Sequence, residues 1–269
     1  MPDPRNGARL PSPVAGQQRR ERIREQVLDS GFARIEDLAQ QYSVSTMTIH
    51  RDLDELEVAG WLRKVRGGAT VNPAALVDTT ARSRLAAMVT EKEQIARAAL
   101  RHVVSGQTVI VDDSTTALQV AQLLPSRAPL TVITNFLAVI NSLAGESEID
   151  LIALGGSYNP SYDAFFGLKT KEAVGSLRAD VLFMSTTAVT DGSCFHKSQG
   201  TVLVKRALME AAAKRILLLD HSKFSKRALH ELAPLTSFDL IIVDRETDEK
   251  DMAELKQLGI AVEVAGAPT

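Results

Sequence analysis

The sequence predicts an α/β protein in two parts: a small N-terminal winged helix-turn-helix domain, then a larger α/β domain with a mainly parallel sheet. Three observations carry this. Residues Arg19 to about Thr70 place apolar side chains at helical spacing and end in a short basic hairpin. From Glu91 onward, Val/Ile/Leu-rich runs alternate with amphipathic stretches, as strands covered by helices on both faces do. The 269 residues exceed one average domain and suggest two.

Composition is permissive. At 45% hydrophobic and 24% charged the chain reads as an ordinary globular protein. No apolar run approaches the ~20 residues that cross a bilayer, so no membrane association is expected. Residues 1–18 hold arginines, prolines and glycines without an apolar stretch, and are expected to form a disordered tail rather than a secretory leader. The single cysteine, Cys194, excludes an intrachain disulfide and fits a reducing cytoplasm. Net charge is −2; residues 1–70 hold 11 Lys+Arg against 10 Asp+Glu, the remainder 20 against 23. A nucleic-acid-binding head with so even a balance must sort its charges by face.

The expected boundaries are 19–72 for the head, 73–90 for a linker and 91–269 for the body. In the head, a first helix over Arg20–Ser30 buries Ile23, Val27 and Leu28 and stops at Gly31. Ile35, Leu38, Ala39 and Tyr42 follow helical spacing, and Tyr42-Ser43-Val44 turns the chain. Ser45 then caps a third helix whose buried stripe is Ile49, Leu53 and Leu56. So short a turn forces the sharp crossing of a helix-turn-helix. Ser45, Thr46, Thr48, His50 and Arg51 lie off that stripe, at the helix start, where they face DNA. After Gly60, Trp61–Gly68 reads as a wing whose Arg63, Lys64 and Arg66 touch phosphates.

In the body, strands are expected at Thr108–Asp112, Leu130–Thr134, Asp150–Leu154, Val181–Thr186, Arg215–Asp220 and Leu240–Asp244. Helices are expected at Glu91–Val104, Thr115–Leu124, Phe136–Ala144, Thr170–Leu177, Val202–Ala213 and Asp248–Leu258. The strand-to-helix junction Asp112-Asp113-Ser114-Thr115-Thr116 offers hydroxyls and free N–H groups to an anion, or else simply caps the helix. Thr134, Asn135, Gly155 and Gly156 end neighbouring strands on the same edge, where open α/β sheets bind ligands. Lys205 and Lys223 are candidate partners for an anion. Five scattered histidines and one Cys194-Phe195-His196 pair do not make a metal site, and no cofactor is expected.

The head residues Val44-Ser45, Thr48-Ile49, Arg51-Asp52-Leu53, Leu56, Gly60 and Val65-x-Gly67-Gly68 resemble the DNA-binding domain of the DeoR family of bacterial repressors. The body is similar to that family's effector domain, a ribose-phosphate-isomerase-like fold. Its matching stretches are Asp112-x-Ser114-Thr115-Thr116, Val132-x-Thr134-Asn135, Leu154-Gly155-Gly156, Lys205-Arg206-Ala207 and Asp220-x-Ser222-Lys223-Phe224. The resemblance implies a homo-oligomeric regulator of a carbohydrate operon, binding a double-stranded operator under control of a phosphorylated sugar. Ser43 and His50 stand where the family has Gly and Arg. Ser185–Ala188 replaces its Gly-x-Asp-Gly, and His196 and Lys197 are additions.

Three other readings stay open at this stage. The head's periodicity also suits a protein–protein module, and the body could belong to a sugar-phosphate isomerase carrying a DNA-binding head. An architectural DNA-binding protein without a ligand is the third.

Overall fold

The computed structural model describes residues 13–58, 61–71 and 81–266, which fall into two units divided between Thr79 and Thr80. In the first, α1 (Pro13–Ser30) starts seven residues ahead of the predicted Arg20, so residues 13–18 are helical where a disordered tail was expected. The rest of that tail, 1–12, lies outside the described residues. Gly31, at φ +76°, ends α1 with its N–H on the Val27 carbonyl. α2 (Ile35–Gln41) and α3 (Thr46–Val58) follow as expected. Between them Ser43 adopts φ +52°, the left-handed conformation that costs a residue with a Cβ about 1–2 kcal/mol.

The wing is β2 (Leu62–Val65) and β3 (Gly68–Val71), joined at Gly67 with φ +80°. A further strand that the periodicity did not suggest, β1 (Phe32–Arg34), pairs antiparallel with β3. Gly68 makes this possible, because a Cβ there would stand 2.3 Å from the Ala33 carbonyl oxygen. Ile23, Val27, Leu38, Ile49, Leu53, Leu56, Leu62 and Ala69 form the unit's core. The side chain of Leu28, expected with them, is outside the described set.

The second unit begins with two helices, α4 (Ala81–Ala86) and α5 (Val89–Leu100). The expected linker 73–90 is therefore helical from Ala81; its first part, 73–80, lies outside the described residues. The six predicted strands are present with ends shifted by a few residues: β4 (Thr108–Val111), β5 (Leu130–Thr134), β6 (Ile149–Ala153), β9 (Ala179–Met184), β12 (Ala212–Leu219) and β14 (Leu240–Val243). β15 (Val262–Val264) adds a seventh. Every neighbouring pair is parallel, in the order β15-β14-β12-β9-β4-β5-β6. Helices α6 (Thr115–Ala121), α7 (Leu137–Leu143), α8 (Leu168–Gly175), α9 (Gln199–Ala211) and α10 (Glu249–Gln257) bury their apolar sides in one core with the strands.

Two small antiparallel elements were not anticipated. One is the hairpin β7 (Ser157–Asn159) and β8 (Ala164–Phe166); the other is the sheet β10 (Ala188–Thr190), β11 (Ser193–His196) and β13 (His230–Pro234). The arrangement matters most at its centre. From β4 the chain moves outward through β5 and β6, whereas β9, β12, β14 and β15 build the other half. The order reverses between β4 and β9, and ligands of open α/β sheets sit in the crevice at such a reversal.

Candidate functional site

The first unit presents a recognition-type helix. Ser45 Oγ accepts the Thr48 N–H at 3.1 Å and so caps α3, as its sequence position requires. Ile49, Leu53 and Leu56 turn inward, which leaves Thr46 and Arg51 exposed and Thr48 and His50 half-buried. Met47, 63% exposed one residue into α3, shares a face with Arg51 and was not among the residues expected to face DNA. An exposed methyl-bearing side chain beside an arginine suits the thymine methyl and guanine edges of a major groove.

Asp52 is the second omission. It is buried and accepts Arg19 Nε at 2.6 Å and Arg19 Nη2 at 3.2 Å, while Arg20 Nη1 lies 3.5 Å away. This bridge ties α1 to α3 and sets the angle at which α3 is displayed. The signal was available: Asp52 stands three residues after Ile49, on the buried stripe.

The wing needs one correction. Lys64, expected on phosphate, pairs its ammonium with Asp54 of α3, and its N–H donates to Glu57 Oε1 at 2.7 Å. Coulomb attraction to a carboxylate inside the head holds that charge back from DNA. Arg63 and Arg66 are exposed, and among the described residues neither has an ion-pair partner.

In the body, the crevice at the strand reversal is filled by charge. Lys205, from α9, is buried; its Nζ bonds Asp112, lies 3.0 Å from Asp113 Oδ1 and donates to the Ser185 carbonyl at 3.2 Å. Asp112 also accepts the Ser114 N–H at 2.9 Å and the Ser185 N–H at 3.0 Å, which joins the ends of β4 and β9. Burial weakens both carboxylates and the ammonium. It leaves Asp112 with a raised pKa, whereas Lys205 first and Arg84 after it hold Asp113 below its ordinary value. The two carboxylates outweigh burial at Lys205 and keep it charged.

Several predicted ligand groups are thus occupied by the chain itself. Lys205 serves the aspartates rather than an external anion. Ser114 Oγ caps α6 by accepting the Ala117 N–H, Thr115 Oγ1 donates to the Arg84 carbonyl at 3.3 Å, and Thr116 is buried. Thr134 Oγ1 accepts the Phe136 N–H, and Asn135 Nδ2 holds the β7–β8 hairpin through the Phe165 carbonyl. Of the Gly155-Gly156 pair, Gly156 makes its close approach to its own chain, since a Cβ there would meet Thr170 Oγ1 at 2.1 Å and the Phe166 carbonyl at 2.6 Å, whereas one on Gly155 would meet nothing within 4 Å. Close packing, not ligand access, explains that glycine.

What remains without a hydrogen bond defines the site better, even where, as at Asp113, an ion pair to Lys205 is present. Both oxygens of the buried Asp113 carboxylate lack a hydrogen bond, as do Ser185 Oγ and the Nε and Nη2 of Arg84. A set of cations gathers beside them. Burial first and repulsion from Lys223 next bring Lys92 down to about 8; Arg84 and Lys226 add to this, and Asp220 opposes it. Burial and then Arg84 lower Lys197. Among the described residues, Asp220 is the one carboxylate in an ion pair with this set, 3.2 Å from Lys223 Nζ. His196 contributes no charge, because burial and then Lys205 push it down to about 3; its ring lies 5.6 Å from that of Tyr162. Cys194 is buried and pushed up to about 12, an inert thiol.

An open groove of about 700 Å³ lies elsewhere, between residues 189–192, Lys226 and α10. It shares only Lys226 with the cation set and holds none of the buried unpaired groups, so the chemistry points to the strand reversal.

Two family profiles match the chain. One, described as a DeoR-like helix-turn-helix domain, covers residues 19–74; the other, the DeoR C terminal sensor domain, covers residues 87–245. The glycerol-3-phosphate regulon repressor of Escherichia coli K12 is 31% identical over 84% of this chain and 90% of its own length. The L-fucose operon activator of Haemophilus influenzae is 32% identical over 84% and 91% respectively. Among solved structures, ribose 5-phosphate isomerase A from Methanocaldococcus jannaschii is 16% identical, with a TM-score of 0.36 over 49% of this chain and 53% of that one. No described helix is long and apolar enough to cross a membrane.

Proposed function

We propose, for a chain that belongs to the DeoR family of DNA-binding transcriptional regulators, that it represses a carbohydrate operon and releases its operator when a phosphorylated sugar occupies the body. The observation that carries the ligand class is the crevice between β4 and β9. It combines a buried carboxylate that has an ion pair with Lys205 but no hydrogen bond, Asp113, with Arg84, Lys92, Lys197, Lys223 and Lys226 nearby. A sugar phosphate supplies both missing partners: hydroxyls to donate to Asp113, and a dianion to relieve the repulsion among the cations.

In the head, Arg51 and Met47 read base edges while Arg63 and Arg66 meet phosphates. Two copies of the chain, related by a two-fold axis, present their α3 helices to half-sites about one helical turn apart. A ligand that favours an arrangement misfitting one half-site needs a coupling of only about 1–3 kcal/mol.

The test is thermal unfolding of the full chain with triose, pentose and hexose phosphates, each beside its unphosphorylated sugar. A phosphorylated member at a hundred times its dissociation constant stabilises the protein by about 2.7 kcal/mol, and the same compound abolishes the mobility shift of an operator fragment. A sugar that stabilises equally without its phosphate refutes the ligand class. Turnover of a sugar phosphate, followed by NMR, replaces the receptor with an enzyme.

A further inference from the structure

Arg84 lies in α4, the first described helix of the body, in a segment that the sequence suggested was only a linker. Its Nε and Nη2 are closed off from solvent and make no hydrogen bond, and its guanidinium stands 5.3 Å from the centre of the Tyr162 ring. A guanidinium cannot escape burial by losing its proton, so this is a permanent charge held without hydrogen bonds on those atoms. Its charged neighbours are Lys92 and Lys197, which repel it, and Asp113, which attracts it. Yet Arg84 and Asp113 do not bond each other, and neither Asp113 oxygen has a hydrogen bond, Oδ1 having only its ion pair with Lys205. The two residues are poised for a third group that bonds both.

The main chain of Arg84 is fastened at the same place. Its carbonyl accepts from the Lys92 ammonium and from Thr115 Oγ1 at 3.3 Å, while Lys92 also holds the Ala87 carbonyl at 2.6 Å. One cation of the crevice thus fixes the backbone of the helix that carries another.

We infer that Arg84 is the ligand for the effector's phosphate, and that the bond from Lys92 to the Arg84 carbonyl makes the order of α4 depend on whether the crevice is occupied. This rests on the effector reading above and adds a residue and a route to it. A phosphate placed against the guanidinium forms two parallel N–H···O bonds and brings a hydroxyl of the same molecule to Asp113. It also stabilises the charged form of Lys92, and so tightens the grip of Lys92 on the Arg84 and Ala87 carbonyls. In chain order α4 is the first described element of the body after the DNA-binding unit.

Inorganic phosphate is the probe, added to the full-length protein at millimolar concentration and constant ionic strength. In the wild type it raises the melting temperature of the body and slows amide exchange over residues 84–92. Arg84→Gln weakens the phosphate midpoint by about tenfold or more, the loss of a charge-assisted bond. Arg84→Lys keeps the charge but not the fork, and falls between. Because Arg84→Gln removes a partly buried charge whose Nε and Nη2 have no hydrogen bond, its melting temperature without phosphate equals or exceeds that of the wild type; a purely structural arginine would instead leave a less stable protein. If Lys223→Gln loses the phosphate response while Arg84→Gln keeps it, the assignment of Arg84 is wrong and the effector site stands. If Arg84→Gln loses the response but phosphate never slows exchange at 84–92 in the wild type, the route through α4 is wrong. If phosphate has no effect on the wild type, both the site and the assignment fall.

Discussion

Lys205 Nζ lies 3.0 Å from Asp113 Oδ1 in the buried centre of the body, and the same ammonium bonds Asp112. One ammonium therefore serves two carboxylates, and beyond that ion pair neither Asp113 oxygen has a hydrogen bond. Removing Lys205 leaves two desolvated carboxylates side by side. Lys205→Met is expected to destabilise the body by roughly 3–5 kcal/mol, the cost of breaking a buried pair from one side. Urea unfolding measures it. Adding Asp112→Asn and Asp113→Asn to the same protein recovers most of the loss; no recovery would mean that Lys205 acts through packing of its methylenes.

The head depends on a similar pair of opposite charges. Asp52→Ala strands the largely buried Arg19, 10% exposed, and should loosen α1 from α3. The expected loss is about 3 kcal/mol or more, much of what so small a unit has. Circular dichroism would follow a separate low-temperature transition. The double variant with Arg19→Ala should be closer to wild type than the sum of its parts, since neither charge is then left alone.

Strand-helix alternation, the third-helix cap and the wing were legible because each depends on neighbours in sequence: Ser45 on Thr48, Gly67 on its own φ, and Val109–Val111 on burial from both faces. Missed elements were short and held by distant partners. β15 has three residues, and its Glu263 is fixed by Arg101 and by His102 at 2.8 Å. β1 forms only because Gly68 admits the Ala33 carbonyl. At the site, residues such as Asp112 and Lys205 were found, but their mutual pairing across 93 positions was not. That is why Lys205 was expected to face a ligand when it faces the core. Arg84 was invisible for a different reason: its segment follows Asn72-Pro73 and is of mixed polarity, which reads as a linker, and its burial beside Tyr162 is a tertiary contact.

Wing charges separate by a salt experiment. Arg66 is exposed, so Arg66→Ala should lower the slope of log K against log salt by about 0.9 for each phosphate that the arginine neutralises, without altering sequence preference. Lys64→Ala should lower it by less, because its charge is already shared with Asp54. Fluorescence anisotropy on specific and random duplexes at several salt concentrations gives both slopes. Equal slopes for the two variants would show that DNA pulls Lys64 away from Asp54.

The crevice cations make ligand binding and stability respond to pH in opposite directions. Lys92 is brought from 10.5 to about 8, by burial first and by Lys223 second. Its unfolded form holds the proton up to the higher value, so between about 8 and 10.5 the unfolded chain binds more protons than the folded one. The penalty of a buried ammonium is thus fully present below about 8, and the unliganded body gains stability as pH rises through that window. Phosphate does the reverse. It prefers Lys92 charged, so binding takes up protons, and affinity falls as pH rises above about 8. Titration calorimetry in two buffers of different ionisation heat measures the uptake directly, and Lys92→Met should reduce it and flatten both pH profiles. Proton uptake unchanged in Lys92→Met would move the titration to Lys226, which burial and then Lys223 also bring to about 8.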